Sequence, residues 1–164
     1  MCIRDSDASA SENLVSVTVG FAGGGTTGVG GAVSLGVMKN DVQARIGEKA
    51  TVDADGNVGV NAQDDITAVM TAGAAAGGGT TGVGGSLAVA TLLGSSKATI
   101  GDGATVNARG LGDARSVYTG ETVFSDTATQ PTTLGAKRTE DARGLSVTAY
   151  NREKLVTTCL LYTS

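Results

Sequence analysis

Four side chains carry most of the recognition chemistry this chain could offer: Tyr118, Phe124, Lys137 and Arg138. All four fall in one stretch, about 109–143. It also holds the single proline, Pro131, and the charge cluster Lys137-Arg138-Thr139-Glu140-Asp141. Aromatic rings beside charges on a connecting segment suit contact with a partner surface. The plainer reading is a solvated excursion that touches nothing. Catalysis has less to work with. There is no histidine, and the two cysteines, Cys2 and Cys159, lie at the chain ends. That removes His-based triads and the usual zinc, copper and haem ligands. No catalytic residue, metal ligand or cofactor is expected, and no small-molecule substrate. A net charge of −4 gives no basic footprint for nucleic acid. Gly23-Gly24-Gly25-Thr26-Thr27-Gly28 lacks the lysine of a phosphate loop. Stray calcium at Asp64-Asp65 or Asp102 lacks the regular aspartate spacing of calcium repeats. Charged residues fall mostly at turns, where they solubilise; a β-helix carbohydrate-active module would cluster them on one sheet face.

The elements that must position these residues are repeated. Gly-Gly-Gly-Thr-Thr-Gly-Val-Gly-Gly begins at Gly23 and again at Gly77, an offset of 77 − 23 = 54 residues. Aligning 22–54 with 76–108 gives 17 identities in 33 positions. A fixed period marks a solenoid or array, whose stacked copies build length and surface. The copies span about 13–65 and 66–158. The second is interrupted: Ala108-Arg109-Gly110 is answered by Ala142-Arg143-Gly144, a gap of 142 − 108 = 34 residues. The stretch at 109–143 is therefore one long loop insertion, and insertions in repeats map to one face, often the binding face.

Within each copy the pattern is strand and turn. Val15-Ser16-Val17-Thr18-Val19-Gly20-Phe21 alternates strictly, which implies a strand with one buried face. The inward set is read as Val29, Val33, Leu35, Val37 and, in the second copy, Val83, Leu87, Val89, Leu93. After Asn40-Asp41 and Gly94-Ser95-Ser96 the inward set becomes Val42, Ala44, Ile46 and Ala98, Ile100. Turns follow at Gly47-Glu48-Lys49, at Asp55-Gly56-Asn57 and at Gln63-Asp64-Asp65. One unit should then hold about five short strands and two or three coils of a parallel β-helix, at roughly 18 to 25 residues per coil. The fold class expected is all-β, a parallel β-helix solenoid fragment. Gly23–Gly25 and Gly77–Gly79 should either permit a left-handed corner or leave room for close backbone approach.

The two ends read differently. Met1-Cys2-Ile3-Arg4-Asp5-Ser6 and Cys159-Leu160-Leu161-Tyr162-Thr163-Ser164 are reverse complements in codon space, as a sequencing adapter translated as protein would be. Residues 1–6 and 159–164 are accordingly expected to pack against nothing, or only by accident, and 7–158 to be the repeat segment.

The run Ala98-Thr99-Ile100-Gly101-Asp102-Gly103-Ala104-Thr105-Val106-Asn107-Ala108, preceded by Gly82-Val83-Gly84-Gly85, resembles the repeats of very large bacterial filamentous adhesins. These are the haemagglutinin-like and leukotoxin-type filamentous proteins and autotransporter passengers. The likeness covers 44–62 as well and, more weakly, 144–149. It implies a right-handed β-helix shaft, type V secretion and an extracellular site at the bacterial cell surface. Its partners would be adjacent repeats of the parent chain and a host or neighbouring cell surface. One rival comes from the 31 uncharged residues at 66–96, long enough for a glycine-zipper membrane helix of a pore-forming or toxin-like protein. Gly73, Gly77 and Gly82 would line it, but seven glycines between Gly73 and Gly85 weaken any helix.

Overall fold

The computed structural model describes residues 4–123 and 136–163, with side chains for 5–121 and 136–162. Phe124 and Pro131 lie outside the described residues. Every regular element described is a strand: β1 (Arg4–Gly24), β2 (Thr27–Ile46), β3 (Thr51–Ala54), β4 (Val58–Gly78), β5 (Thr81–Ile100), β6 (Thr105–Ala108), β7 (Arg115–Val123), β8 (Ala136–Ala142) and β9 (Leu145–Thr163). They form four sheets, in the orders β1-β4-β9, β2-β5, β3-β6 and β7-β8.

The repeat period is written into the pairing. β3 and β6 run parallel, with Thr51 beside Thr105 and Ala54 beside Ala108. Flanking backbone bonds keep the same spacing. Gly101 N donates to Ile46 O at 2.9 Å, Thr105 N to Ala50 O at 2.8 Å, and Arg109 N to Ala54 O at 3.0 Å. Like residues thus stack on like residues one repeat later, and the parallel ladder needs no hairpin between its strands.

One repeat holds three strands, two of about twenty residues and one of four, in place of the five short strands and several coils expected. The polar runs read as turns at Asn40-Asp41, Gln63-Asp64-Asp65 and Gly94-Ser95-Ser96 stay extended. Several of their polar groups find partners on other strands, so nothing forces a turn, although Asp64 Oδ2 and Ser96 Oγ have none among the described residues. Asn40 Nδ2 donates to Asp64 Oδ1 at 3.1 Å, and Gly94 N to Glu153 Oε1 at 3.1 Å. The other turns form. At one of them Lys49 sits at φ 54° and its counterpart Gly103 at φ 69°, the left-handed position glycine fills at least cost.

The chain divides into two compact units. The first takes Met1–Ser11, Asn40–Ile66 and Gly94–Glu153. Its core is Val42, Ala44, Val60 and Ala62, packed with Ala8, Ala10, Ile46 and Ala98. Here the alternation read from sequence is right. Val58 and Ala54 are also buried, each 2% exposed.

The second unit takes Glu12–Lys39, Thr67–Leu93 and Lys154–Ser164, and here the alternation is inverted. Leu35 is 71% exposed and Val37 75%, while Ala32 and Ser34 are buried. Val15, Val17, Val19, Val29, Val33, Val83, Leu87, Val89 and Leu93 also face outward. The interior is too narrow for them. Ser16 Oγ lies 2.8 Å from Ser34 Oγ across it. A methyl at Gly20 would overlap the Gly31 carbonyl, and one at Gly36 would meet Leu14 Cδ2 at 3.0 Å and Met70 Sδ at 3.2 Å. Apart from Met70, the buried hydrophobics of this unit are all alanines: Ala32, Ala68, Ala72, Ala74 and Ala76. Two sheets that approach this closely accept Gly, Ala and Ser between them and expel Val and Leu.

None of the glycines at 23–25 or 77–79 has positive φ, and of the two roles expected only close approach is found, at Gly24, Gly78 and Gly79. Gly24 is pressed against the Thr27 carbonyl and Gly78 against that of Thr81, whereas Gly23 and Gly25 face open space. Thr80 N and Thr81 N both donate to Thr26 O, at 3.0 and 3.1 Å, and hold the two turns one repeat apart.

The end segments lie within strands. β1 reaches down to Arg4 and β9 up to Thr163. Asp5 pairs with Arg115, Ser86 Oγ donates to Leu160 O at 3.1 Å, and Leu161 Cδ1 comes within 3.3 Å of where a methyl on Gly84 would lie. Backbone pairing at a sheet edge accepts almost any side chain, so these residues extend strands like any others. All of 157–162 is nevertheless exposed.

Candidate functional site

The insertion is not a long loop. Its described part is the antiparallel ribbon β7-β8, with Arg115 opposite Ala142, Val117 opposite Glu140 and Val123 opposite Ala136. A register shift between Tyr118 and Thr122 bends the ribbon, with Gly120 at φ 90°. The ribbon lies against the side of the β1-β4-β9 sheet that faces away from the first unit's core. Together they enclose a cleft of about 340 Å³.

The sheet supplies the cleft floor through the odd positions of β4 and the even positions of β9. Asn61, Gln63, Thr148 and Tyr150 line it, with Asp7 and Ser9 from β1. Asn61 Nδ2 donates to Asp7 Oδ1 at 2.6 Å, and Thr148 Oγ1 donates to Asn61 Oδ1 at 2.6 Å. Tyr150 Oη donates to Gln63 Oε1. The ribbon adds Arg115, Tyr118, Lys137 and Thr139. Arg115 bonds Asp5 and, at 3.3 Å, Asp7. Tyr118 packs on Tyr150 with centroids 4.3 Å apart and rings tilted by 58°.

One carboxylate ties the ribbon to the sheet. Asp65 Oδ1 accepts from Arg152 Nε at 2.7 Å, and Asp65 Oδ2 from Gln63 Nε2 at 2.7 Å. Lys137 Nζ lies 3.2 Å from Oδ2 and donates to Tyr150 Oη at 2.5 Å. Burial pushes the Asp65 carboxyl up. The bonds from Arg152, Lys137 and Gln63, with the Lys137 charge, outweigh it and hold the carboxyl below the usual carboxylate range. The same bond holds the Arg152 guanidinium above its ordinary value, against desolvation. A lowered folded-state value means Asp65 adds stability that is complete above its unfolded value, about 3.9, and is lost as pH falls through the folded value. Melting temperature, followed by circular dichroism, should therefore fall below about pH 4, and Asp65→Asn should remove part of that fall. An Asp65→Asn profile parallel to the parent at every pH would exclude the linkage.

Of the residues singled out from sequence, Tyr118 and Lys137 come together in this cleft. Arg138 does not: its neighbour on the strand points the other way, and Arg138 pairs with Glu121 at 2.7 Å in solvent. Phe124 falls outside the described residues. Asp64 and Asp65 cannot share a cation, because adjacent strand residues point to opposite faces. Asp64 is fully buried, bonded to Asn40, and its Oδ2 has no partner among the described residues. Among the described residues no group of three His, Cys, Asp or Glu could hold a metal ion.

Sequence reading missed Arg115, Tyr150, Arg152 and the β4 row. The signal was there. Gly144 N donates to Asn57 Oδ1, Thr148 bonds Asn61, Tyr150 bonds Gln63 and Arg152 bonds Asp65, all at an offset of 87 residues. That offset is the repeat period plus 33, one residue fewer than the gap of 34 between the two Ala-Arg-Gly triplets; without the insertion Val58–Asp65 aligns with Leu145–Arg152 and Asp65 falls beside Arg152.

The chain matches no protein-family model, no curated protein and no solved structure.

Proposed function

We propose that this chain is a shaft segment of a secreted bacterial surface adhesin, a right-handed parallel β-helix whose work is to extend and display. The observation that carries the reading is the in-register parallel pairing of β3 with β6 at the repeat period. Stacking of this kind grows by adding copies and gives each copy only its neighbours to touch. The ribbon β7-β8 breaks that regularity on one side and is the element offered to a host or neighbouring cell. The side chains that meet there, Tyr118, Tyr150, Lys137 and Arg115, are rings and bonded cations suited to holding a polar partner rather than to catalysis. The glycine-zipper alternative requires a helix over 66–96, where the chain instead forms β4 and β5.

Deleting 111–143 tests the display role cleanly, because Gly110 would then join Gly144 as Gly56 joins Asn57 and the period would be restored. Far-UV circular dichroism should keep its strand signature, while binding to cultured epithelial or bacterial cells, read by flow cytometry, should drop to background. Equal binding after the deletion would remove the ribbon from the contact. A helix-dominated spectrum of the parent would remove the shaft as well.

A further inference from the structure

The second unit turns large apolar side chains outward on both of its sheets. On β1, Val17 is 68% and Phe21 80% exposed; on the β2-β5 sheet Leu35 is 71%, Val37 75%, Leu87 53% and Val89 43% exposed. Val15, Val19, Val29, Val33, Val83 and Leu93 extend the same rows outward, so that each face carries a row of large apolar side chains rather than the single scattered ones a soluble surface tolerates. The rows cannot turn inward, because Gly20, Gly28 and Gly36 leave no room for larger side chains between the sheets.

Charge is absent over the same extent. No Asp, Glu, Lys or Arg occurs at 13–38 or 66–96, and charges resume at Glu12, Lys39, Asp65 and Lys97. Those limits nearly coincide with two of the unit's three segments, Glu12–Lys39 and Thr67–Leu93; the third, Lys154–Ser164, carries one charge, Lys154, at its start. Its turns at Gly25-Thr26 and Gly79-Thr80 are uncharged too. A second copy docking face to face would need one apolar face and would leave the other wet. Two apolar faces closed by a neutral turn fit surroundings that are apolar on every side. Leu14 to Gly24 is eleven residues, about 36 Å of strand, against a hydrocarbon core of about 30 Å. Large apolar residues outward and small or hydroxyl residues inward is also the alternation of strands that cross bilayers.

We propose that the second unit inserts into the hydrocarbon of a lipid bilayer. Open sheet edges are not tolerated there, so the inserted form consists of copies joined edge to edge, the sheets continuing from one to the next. This goes beyond the display role and does not depend on the β7-β8 ribbon.

The chain has no tryptophan, so Phe21→Trp places a single reporter at a fully displayed position of the full chain. Leu35→Trp does the same on the other sheet, and either serves if the other fails to fold. With phosphatidylcholine vesicles the emission should shift to shorter wavelength. Vesicles with brominated acyl chains should quench most of it, and cross-linking of the bound fraction should give oligomers. Emission unchanged by vesicles overturns the proposal. So does a blue shift that needs no vesicles and grows with protein concentration, which would mean that a second copy covers the face. A bound fraction that cross-links only as monomer overturns it as well.

Discussion

Gly20→Ala should destabilise the protein by about 3 kcal/mol or more, read as a fall in the urea midpoint with an unchanged slope. Intrinsic preference points the other way. Alanine in a strand normally gains about 0.5 to 1 kcal/mol over glycine through the unfolded chain. Sterics decide the sign here. The new methyl would fall on the Gly31 carbonyl, and the next atom it would meet, Ala32 N at 3.4 Å, is also backbone. A flexible side chain could swing aside; a paired strand cannot without losing its ladder. Gly23→Ala supplies the control, because its methyl would meet nothing within 4 Å. That variant should lie within about 0.5 kcal/mol of the parent, or above it. If Gly20→Ala and Gly23→Ala prove equally stable, the narrow interior of the second unit is wrong. Its outward aliphatic rows would then lose their explanation too.

Asp65→Ala is the second large effect expected, a loss of about 3 kcal/mol. The carboxylate accepts from three side chains at 2.7 to 3.2 Å and is shared by Arg152 and Lys137. Side-chain exposure is only 11% for both Asp65 and Arg152, so water replaces little of what is removed. Truncation takes away the bonds and leaves two cations facing each other. Asp65→Asn should lose less, since it keeps one acceptor. The pair Asp65→Leu with Arg152→Met should recover much of the loss, because a desolvated ion pair costs nearly what it returns. Chemical denaturation of the parent, Asp65→Leu, Arg152→Met and the double variant closes a double-mutant cycle, and a coupling energy near zero would show the two residues act separately. Asp65→Ala should also free β8 locally, visible as faster amide exchange across 136–142.

Much of the first unit was legible in the sequence. Val42, Ala44, Val60 and Ala62 alternate as inward residues should, and inward is where they are. The repeat predicted which residues would pair, since a period of 54 is also the offset between Thr51 and Thr105. The second unit was misread because alternation gives two faces without saying which is inside. Ordinarily the larger apolar residues decide it. Between Ser16 and Ser34 there is no space for them, and the glycines at alternate positions were the sign that the small face is the buried one. The cleft was half legible. Tyr118 and Lys137 announced themselves by residue type, whereas Tyr150 and Asp65 look unremarkable until the insertion is removed and their strands are aligned. Polar runs misled in the same way. Asn40 and Asp64 resemble turn residues in isolation, yet bond each other within straight strands.

The backbone bonds that join each repeat to the next carry a consequence for how such a gene can change. Ile46 and Ala50 meet Gly101 and Thr105 through main-chain atoms, and Thr26 meets Thr80 likewise. Unequal crossing-over that inserts or removes one whole period leaves every remaining ladder in register, because each strand finds an equivalent neighbour. A slip by an odd number of residues puts inward residues outward, and an even slip shorter than the period still misplaces the glycines that close approach requires. Copy number is thus a coordinate along which the gene can drift almost freely, while reading within a period stays tightly held. Lineages carrying this chain should differ by multiples of 54 residues before they differ by anything smaller, and the 33-residue insertion, tethered at a turn outside the ladders, is a length change the stack absorbs without realignment.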